Sequence, residues 1–418
     1  MRPPVVRFWR VVAGGGMTPA EWALYETAET RFLRNAGADD GAHLRQSRAV
    51  LPRADGARAI AEIRKWPHYA PTPLHSLEEI AARAKVQSVY YKDESGRFGL
   101  GSFKALGGAF AVSRLLAAHI RRATGKPPDG KTLAAGGYAA HVRNITVTSA
   151  TDGNHGRSVA WGAKMFGCRC RIYIHAEVSE GRKRAIEAFG AKVVRIRGNY
   201  DESVRRAAAD AQKNGWFVVS DTSYPGYAEM PRQVMAGYSV MAEEALRQIP
   251  VLPTHVFVQG GVGGLAAAVS AWLRHQFAAG KFGASPQLTV VEPSLAGCLH
   301  ESARLRRAAA VQIAEETIMA GLSCGEVSEL AWKILQPGAR NFMLIDDALI
   351  PPLMRHLARR RTPVEGGESG VAGLAGFLAA ACSPMRRRAG LTAKSAVLVF
   401  GTEGATDAEI YKKLTAGN

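Results

Sequence analysis

Lys92-Asp-Glu-Ser-Gly-Arg-Phe-Gly-Leu-Gly-Ser-Phe-Lys104-Ala-Leu-Gly-Gly108 places one lysine at the end of a glycine-punctuated turn, directly before a run of small residues. A lysine forms a Schiff base only when its amine is neutral, and a helix start in a partly desolvated pocket lowers its pKa. Lys104 fits that description. Phe103 precedes it, and Ala105, Leu106, Gly107 and Gly108 make a poor solvated face. The plainer alternative is one surface lysine among many.

Downstream, strand and helix signals alternate. Residues 145–148 are β-branched, residues 156–166 carry Val159, Ala163 and Phe166 at helical spacing, and Gly167 suits a helix stop. Residues 171–174 read as the next strand. Ser179 caps a helix presenting Ala185, Ile186 and Phe189 that Gly190 closes, and residues 192–196 form another strand. A helix from about Asp201 leads to a strand at 216–219. Three later strands, 254–258, 288–291 and 395–400, end in loops at Gly260, Glu292 and Gly401. This alternation predicts an α/β fold with parallel sheets and crossover helices, in which ligands bind at the carboxyl ends of the strands.

Two further segments carry chemistry. Gln259-Gly-Gly-Val-Gly-Gly-Leu265 follows a strand and opens an alanine-rich helix. Glycine allows backbone N–H groups to approach phosphate oxygens, and the helix dipole favours the anion. Any tight strand-helix connection also wants glycine. No Gly-Lys-Ser/Thr follows, which excludes a P-loop, and no acidic residue stands at the ribose position of a dinucleotide site. Ser149-Ala-Thr-Asp-Gly-Asn-His-Gly156 is a strand-to-helix turn whose backbone and Asn154 suit a planar ring, or simply an Asx turn. Asp152 in that turn and Asp221 in Val218-Val-Ser-Asp-Thr222 each read, on the residues alone, as a helix cap or a loop ligand.

The 418 residues suit two domains or an inserted one, and 47% hydrophobic with 22% charged residues marks a globular chain. No apolar run approaches the roughly 20 residues of a membrane span, so a soluble protein is expected. The net charge of +18 raises a nucleic-acid partner, but the arginines come in scattered short groups without a binding motif. No nucleic acid is therefore expected. The five cysteines make no disulfide scaffold, Cys168 and Cys170 read as core residues, and no Cys/His spacing matches a zinc site. Residues 1–16 read as a flexible extension. Thr18-Pro-Ala-Glu21 after Met17 is a helix start.

The lysine and asparagine segments, in this order, resemble the fold-type II pyridoxal phosphate enzymes and within them the diaminopropionate ammonia-lyases. Gly226-Tyr227, Thr317-Ile-Met-Ala-Gly-Leu322, Gly325-Glu326, Gly367-Glu368-Ser-Gly370 and Thr402-Glu403-Gly404 match as well, so the resemblance covers roughly residues 65 to 410. It implies two open, twisted, mostly parallel sheets flanked by helices. A large domain (17–98 plus 232–418) and a small inserted one (99–231) would hold pyridoxal 5'-phosphate between them. Lys104 would carry the cofactor, with Phe103, Asn154, Gly260, Gly261, Val262, Gly263, Gly264 and Thr402 around it. Asp152 and Asp221 would be bases for opposite enantiomers of 2,3-diaminopropionate, eliminated to pyruvate and two ammonia by a cytoplasmic homodimer. The resemblance also raises a Cys298–Cys324 disulfide, which a reducing cytoplasm opposes.

Three positions depart from the family pattern. Gly401 replaces a serine, which leaves the ring nitrogen's hydroxyl missing or supplied by Thr402, and Gly260 and Gly264 replace alanines. The alternative activity is a serine or threonine dehydratase. A catalytically silent cofactor binder or basic interaction protein is the alternative outside enzymes.

Overall fold

The computed structural model describes residues 17–151, 153–280 and 282–416. The chain forms strands β1 (Arg31–Arg34), β2 (Leu74–Ser76), β3 (Ser88–Asp93), β4 (Thr146–Ala150), β5 (Arg169–Ile174) and β6 (Lys192–Arg195). β7 (Phe217–Val218), β8 (His255–Gln259), β9 (Gln287–Pro293), β10 (Asn341–Ile345) and β11 (Ala396–Gly401) follow. They make two sheets, a seven-stranded one in the order β1-β10-β9-β8-β11-β3-β2 and a four-stranded one in the order β6-β5-β4-β7. The smaller sheet is wholly parallel. In the larger one β1 and β2 run antiparallel at the two edges, while the inner pairs are parallel.

The central strands β8 and β11 are buried along their whole length, as expected of parallel strands covered by helices on both faces. Side-chain alternation splits β11 between two cores. Leu398 and Phe400 pack with Phe103 and Leu106, whereas Val397 and Val399 pack with Tyr91 on the opposite face.

Local expectations hold closely. Gly167 ends the helix Asn154–Phe166 in a left-handed conformation, and the Ser179 side chain caps the helix Glu180–Glu187 by accepting from the Arg182 N–H. Thr18 forms a reciprocal capping box with Glu21 at the helix Pro19–Thr27. Gly190 lies just beyond the helix it was expected to close, which ends at Glu187. No helix among the described residues is long and apolar enough to cross a membrane. The expected extension at 1–16 lies outside the described residues.

The fold delivers three loops to one place, the carboxyl ends of β8, β9 and β11. The backbone N–H of Phe103 donates to the Thr402 carbonyl at 3.0 Å, and Ser102 bridges to Glu403. These contacts bind the turn before Lys104 to the end of β11.

Candidate active site

Lys104 is the first residue of the helix Lys104–Thr124. Its Nζ donates to Asp221 Oδ2 and lies 5.6 Å over the Phe103 ring, which itself packs against Tyr238 at 4.7 Å. Burial disfavours the charged amine, but the Asp221 carboxylate outweighs it, so Lys104 is held above its ordinary value and Asp221 below its own. The lowered lysine pKa expected from the sequence is thereby reversed. A helix start and a desolvated pocket predict a neutral amine only when no carboxylate shares the pocket.

His155 is the third member of this cluster. Its Nε2 lies 2.9 Å from the Val219 carbonyl, which can only accept, so Nε2 carries a proton. Burial keeps the ring below its ordinary pKa, hence neutral, and leaves Nδ1 as a lone pair 3.7 Å from Asp221 Oδ2. Sequence reasoning gave His155 no proton-transfer role, because its neighbour in space stands 66 positions further along the chain. Asp152 lies outside the described residues.

Asn154 opens the helix Asn154–Phe166, and its Nδ2 donates to Glu403 Oε2 at 2.5 Å. The Ser369 N–H donates to the other Glu403 oxygen at 3.1 Å, and Arg182 reaches Glu368 at 3.5 Å. Burial raises both carboxyls, and their proximity raises Glu368 further. Glu368 and Glu403 fall in segments matched by resemblance, but only the fold shows that they adjoin.

Gly261 (φ +58°) and Gly263 (φ +96°) adopt left-handed backbone at the head of the helix Gly264–Ala278. Among the described residues no acceptor takes the N–H of Gly261 or of Val262. A Cβ placed on Gly264 would lie 3.7 Å from the Asp221 carbonyl oxygen, so the glycine turn adjoins the Lys104–Asp221 pair. Beneath the turn lies Glu292, fully buried, which accepts the Leu299 and His300 N–H groups at 2.8 and 2.7 Å. Burial pushes its carboxyl up to about 8.

Gln259, missed in the sequence although it directly precedes the glycines, fastens this region. Its Nε2 donates to the carbonyls of Phe400 (2.7 Å) and Gly370 (2.6 Å) and to Thr402 Oγ1 (3.2 Å). The serine-to-glycine departure at 401 is accounted for by packing. A Cβ at Gly401 would fall 2.0 Å from the Tyr91 ring, on the face away from Phe103, whereas Thr402 turns its hydroxyl to Gln259. None of the five cysteines is joined in a disulfide, and Cys298 Sγ donates to the Gly261 carbonyl at 3.5 Å.

These residues fit a phosphorylated aldehyde on a planar ring. Unclaimed backbone donors at a helix N-terminus suit a phosphate, and the lysine nearby suits an aldehyde. The sequence matches the family of the pyridoxal-phosphate dependent enzyme over residues 65–401. It is 36% identical over 364 residues to the diaminopropionate ammonia-lyase of Escherichia coli strain K12, covering 83% of this chain and 87% of that one. Against the biosynthetic L-threonine dehydratase of Salmonella typhimurium identity falls to 24%, over 80% of this chain and 58% of the relative. The crystal structure of the Escherichia coli diaminopropionate ammonia lyase in complex with an aminoacrylate-PLP azomethine reaction intermediate superposes with a TM-score of 0.81 at 33% identity, covering 93% of this chain and 97% of that one. The chain thus belongs to the pyridoxal-phosphate dependent enzymes, as a fold-type II member of the diaminopropionate ammonia-lyase family.

Proposed function

We propose that this chain eliminates both amino groups of 2,3-diaminopropionate, giving pyruvate and two ammonia with the uptake of one water. The observation that carries this reading is the Lys104–Asp221 pair beside the glycine turn. Bound pyridoxal phosphate supplies a carbonyl for the substrate's amino group and a ring that accepts the electron pair left at Cα. Lys104 Nζ would hold that carbonyl, the N–H groups of Gly261 and Val262 the phosphate, Asn154 the ring hydroxyl, and Phe103 and Thr402 would line the ring.

Before Lys104 can react, its ammonium gives a proton to Asp221, the carboxylate it already touches. Asp221 takes the Cα proton of one enantiomer, and Asp152, placed by sequence on the asparagine turn, takes that of the other. A protonated Asp221 has the His155 Nδ1 lone pair as its nearest relay, and such contacts tighten when substrate fills a site.

The division into a small domain (99–231) within a large one (17–98 plus 232–418) is supported by the four-stranded sheet, whose strands fall between Thr146 and Val218. A cytoplasmic homodimer rests on the family resemblance alone, and sedimentation of the purified protein tests the dimer. For the activity, pyruvate release is measured from D- and L-2,3-diaminopropionate separately, with L-serine and L-threonine alongside. Preference for diaminopropionate is expected. Lys104→Ala should reduce turnover at least ~10³-fold and remove the absorbance of lysine-bound cofactor. Activity confined to the hydroxy-amino acids would make the protein a dehydratase instead.

A further inference from the structure

The mechanism leaves a group of buried charges unused. Lys92, Glu94, Arg97 and Glu244 are each at most 2% exposed. Lys92 Nζ donates to Glu244 Oε2 (2.7 Å), the Thr72 carbonyl (2.6 Å) and Gln248 Oε1 (2.8 Å), which accounts for all three of its donors. Arg97 forks onto both carboxylates, with Nε and Nη2 to Glu94 at 2.8 Å each, and Nη1 and Nη2 to Glu244 at 3.0 and 2.7 Å. Two cations meet two carboxylates, so the quartet is neutral as a whole.

Its place in the chain is informative. Lys92 lies near the end of β3 and Glu94 directly follows that strand, Arg97 opens the turn that runs to Lys104, and Glu244 lies on the helix Glu229–Gln248, whose Tyr238 packs on Phe103. The quartet therefore ties the segment entering the Lys104 helix to the helix that follows Asp221 in the chain.

The turn it anchors is strained. Phe98 adopts φ +51°, ψ 19°, a left-handed conformation that bulky side chains rarely take, followed by left-handed Gly99 and Gly101. Such a residue persists only where its surroundings over-determine it. Arg97 fixes the turn on one side, and on the other the Phe98 ring is 4.8 Å from Trp161 and 6.1 Å from Trp66.

We propose that the Lys92–Glu94–Arg97–Glu244 quartet is a positioning device, which holds the Phe98 turn in its strained form so that the Lys104 amine meets Asp221 and the cofactor carbonyl. Stability alone is a poor reason for such a cluster. Buried ion networks can often be replaced by apolar groups without loss, so their value lies in fixing one geometry. The inference rests on Lys104 being the cofactor lysine.

The test reconstitutes the full-length, cofactor-free protein with pyridoxal phosphate and follows the growth of lysine-bound absorbance. Borohydride then fixes the linkage, and peptide mapping identifies the lysine. Two proteins are compared with the parent, Glu244→Gln and the double variant Lys92→Met/Glu244→Leu, which leaves Arg97 paired with Glu94 if the single variant does not fold. The expected result is a linkage rate lower by about 10²-fold, as for catalytic groups displaced by an ångström. Faster amide exchange over residues 97–104 should accompany it. Glu21→Gln, which breaks the distant Arg355 pair, should leave both readings unchanged. A folded variant that links Lys104 at the parental rate, with unchanged exchange over 97–104, overturns the positioning role. A label on another lysine in the parent overturns the assignment of Lys104 itself, which is a separate outcome.

Discussion

The two ends of the site are built on different principles. The turn from Gln259 to Gly264 presents backbone donors from consecutive residues, and the one acid beneath it, Glu292, has no cation against it among the described residues. The opposite end gathers Lys104, Asp221 and His155 from three separate segments, an ion pair with a neutral imidazole beside it. Local sequence dictates the first end, since a strand, two left-handed glycines and a helix start suffice. The second exists only once the two sheets have assembled, and its protonation state belongs to the cluster instead of to any one residue.

The largest effect should come from removing the charge at the second end. Asp221→Asn leaves burial as the main influence on Lys104, so the amine falls from its raised value and the cofactor linkage should form more readily near neutral pH. Turnover of one enantiomer of diaminopropionate should nevertheless fall by roughly 10²- to 10⁴-fold, the usual worth of a general base. Absorbance titration and separate assays of each enantiomer measure the two outcomes. An equal loss for both enantiomers would show that Asp221 acts only through Lys104.

The next effect tests the uncharged end. Glu292 titrates near 8 in the folded chain because of burial, well above an ordinary carboxyl. Between about pH 4.3 and 8 the unfolded chain has lost this proton while the folded chain keeps it, so stability falls as pH rises through that window, by roughly 4 kcal/mol in all. Glu292→Gln removes the titration but also one acceptor for the Leu299 and His300 N–H groups. The variant should start less stable at pH 5 and lose less by pH 8. Urea unfolding midpoints at both pH values decide it, and parallel declines in parent and variant would mean that Glu292 is charged.

Legibility follows the same division. Strand-helix alternation, the Ser179 cap and the glycine turn were readable because each depends on neighbours within a few positions, and strand ends shifted by only one or two residues. Glu244 was not readable as a partner of Lys92 and Arg97, since a single glutamate in an amphipathic helix reads as a solvated face. The protonation of Lys104 was misjudged for a related reason. Its pocket was correctly desolvated in the reading, but a carboxylate 117 positions away decides the sign. Position 401 looked like a lost hydroxyl in one dimension, whereas packing against Tyr91 shows that its side chain would face the other core.

The smallest effects lie within the glycine turn, where two departures from the family pattern that look equivalent in sequence should behave differently. A Cβ on Gly260 would lie 2.5 Å from Glu292 Cγ and 3.2 Å from Leu299 Cδ1, so Gly260→Ala must displace a buried carboxyl that fixes the start of the helix Cys298–Leu305. Overpacking of this kind costs about 1–3 kcal/mol, and cofactor affinity should fall with it. At Gly264 the nearest atoms would be 3.7 and 3.9 Å away, ordinary contact distances, and the residue already sits at a helix start. Gly264→Ala should change stability and pyridoxal phosphate affinity by less than about 0.5 kcal/mol. Fluorescence titration of cofactor binding to both variants gives the comparison. Tolerance of alanine at 260 would mean that Glu292 moves freely, and the rigid, backbone-built character assigned to this end of the site would be lost with it.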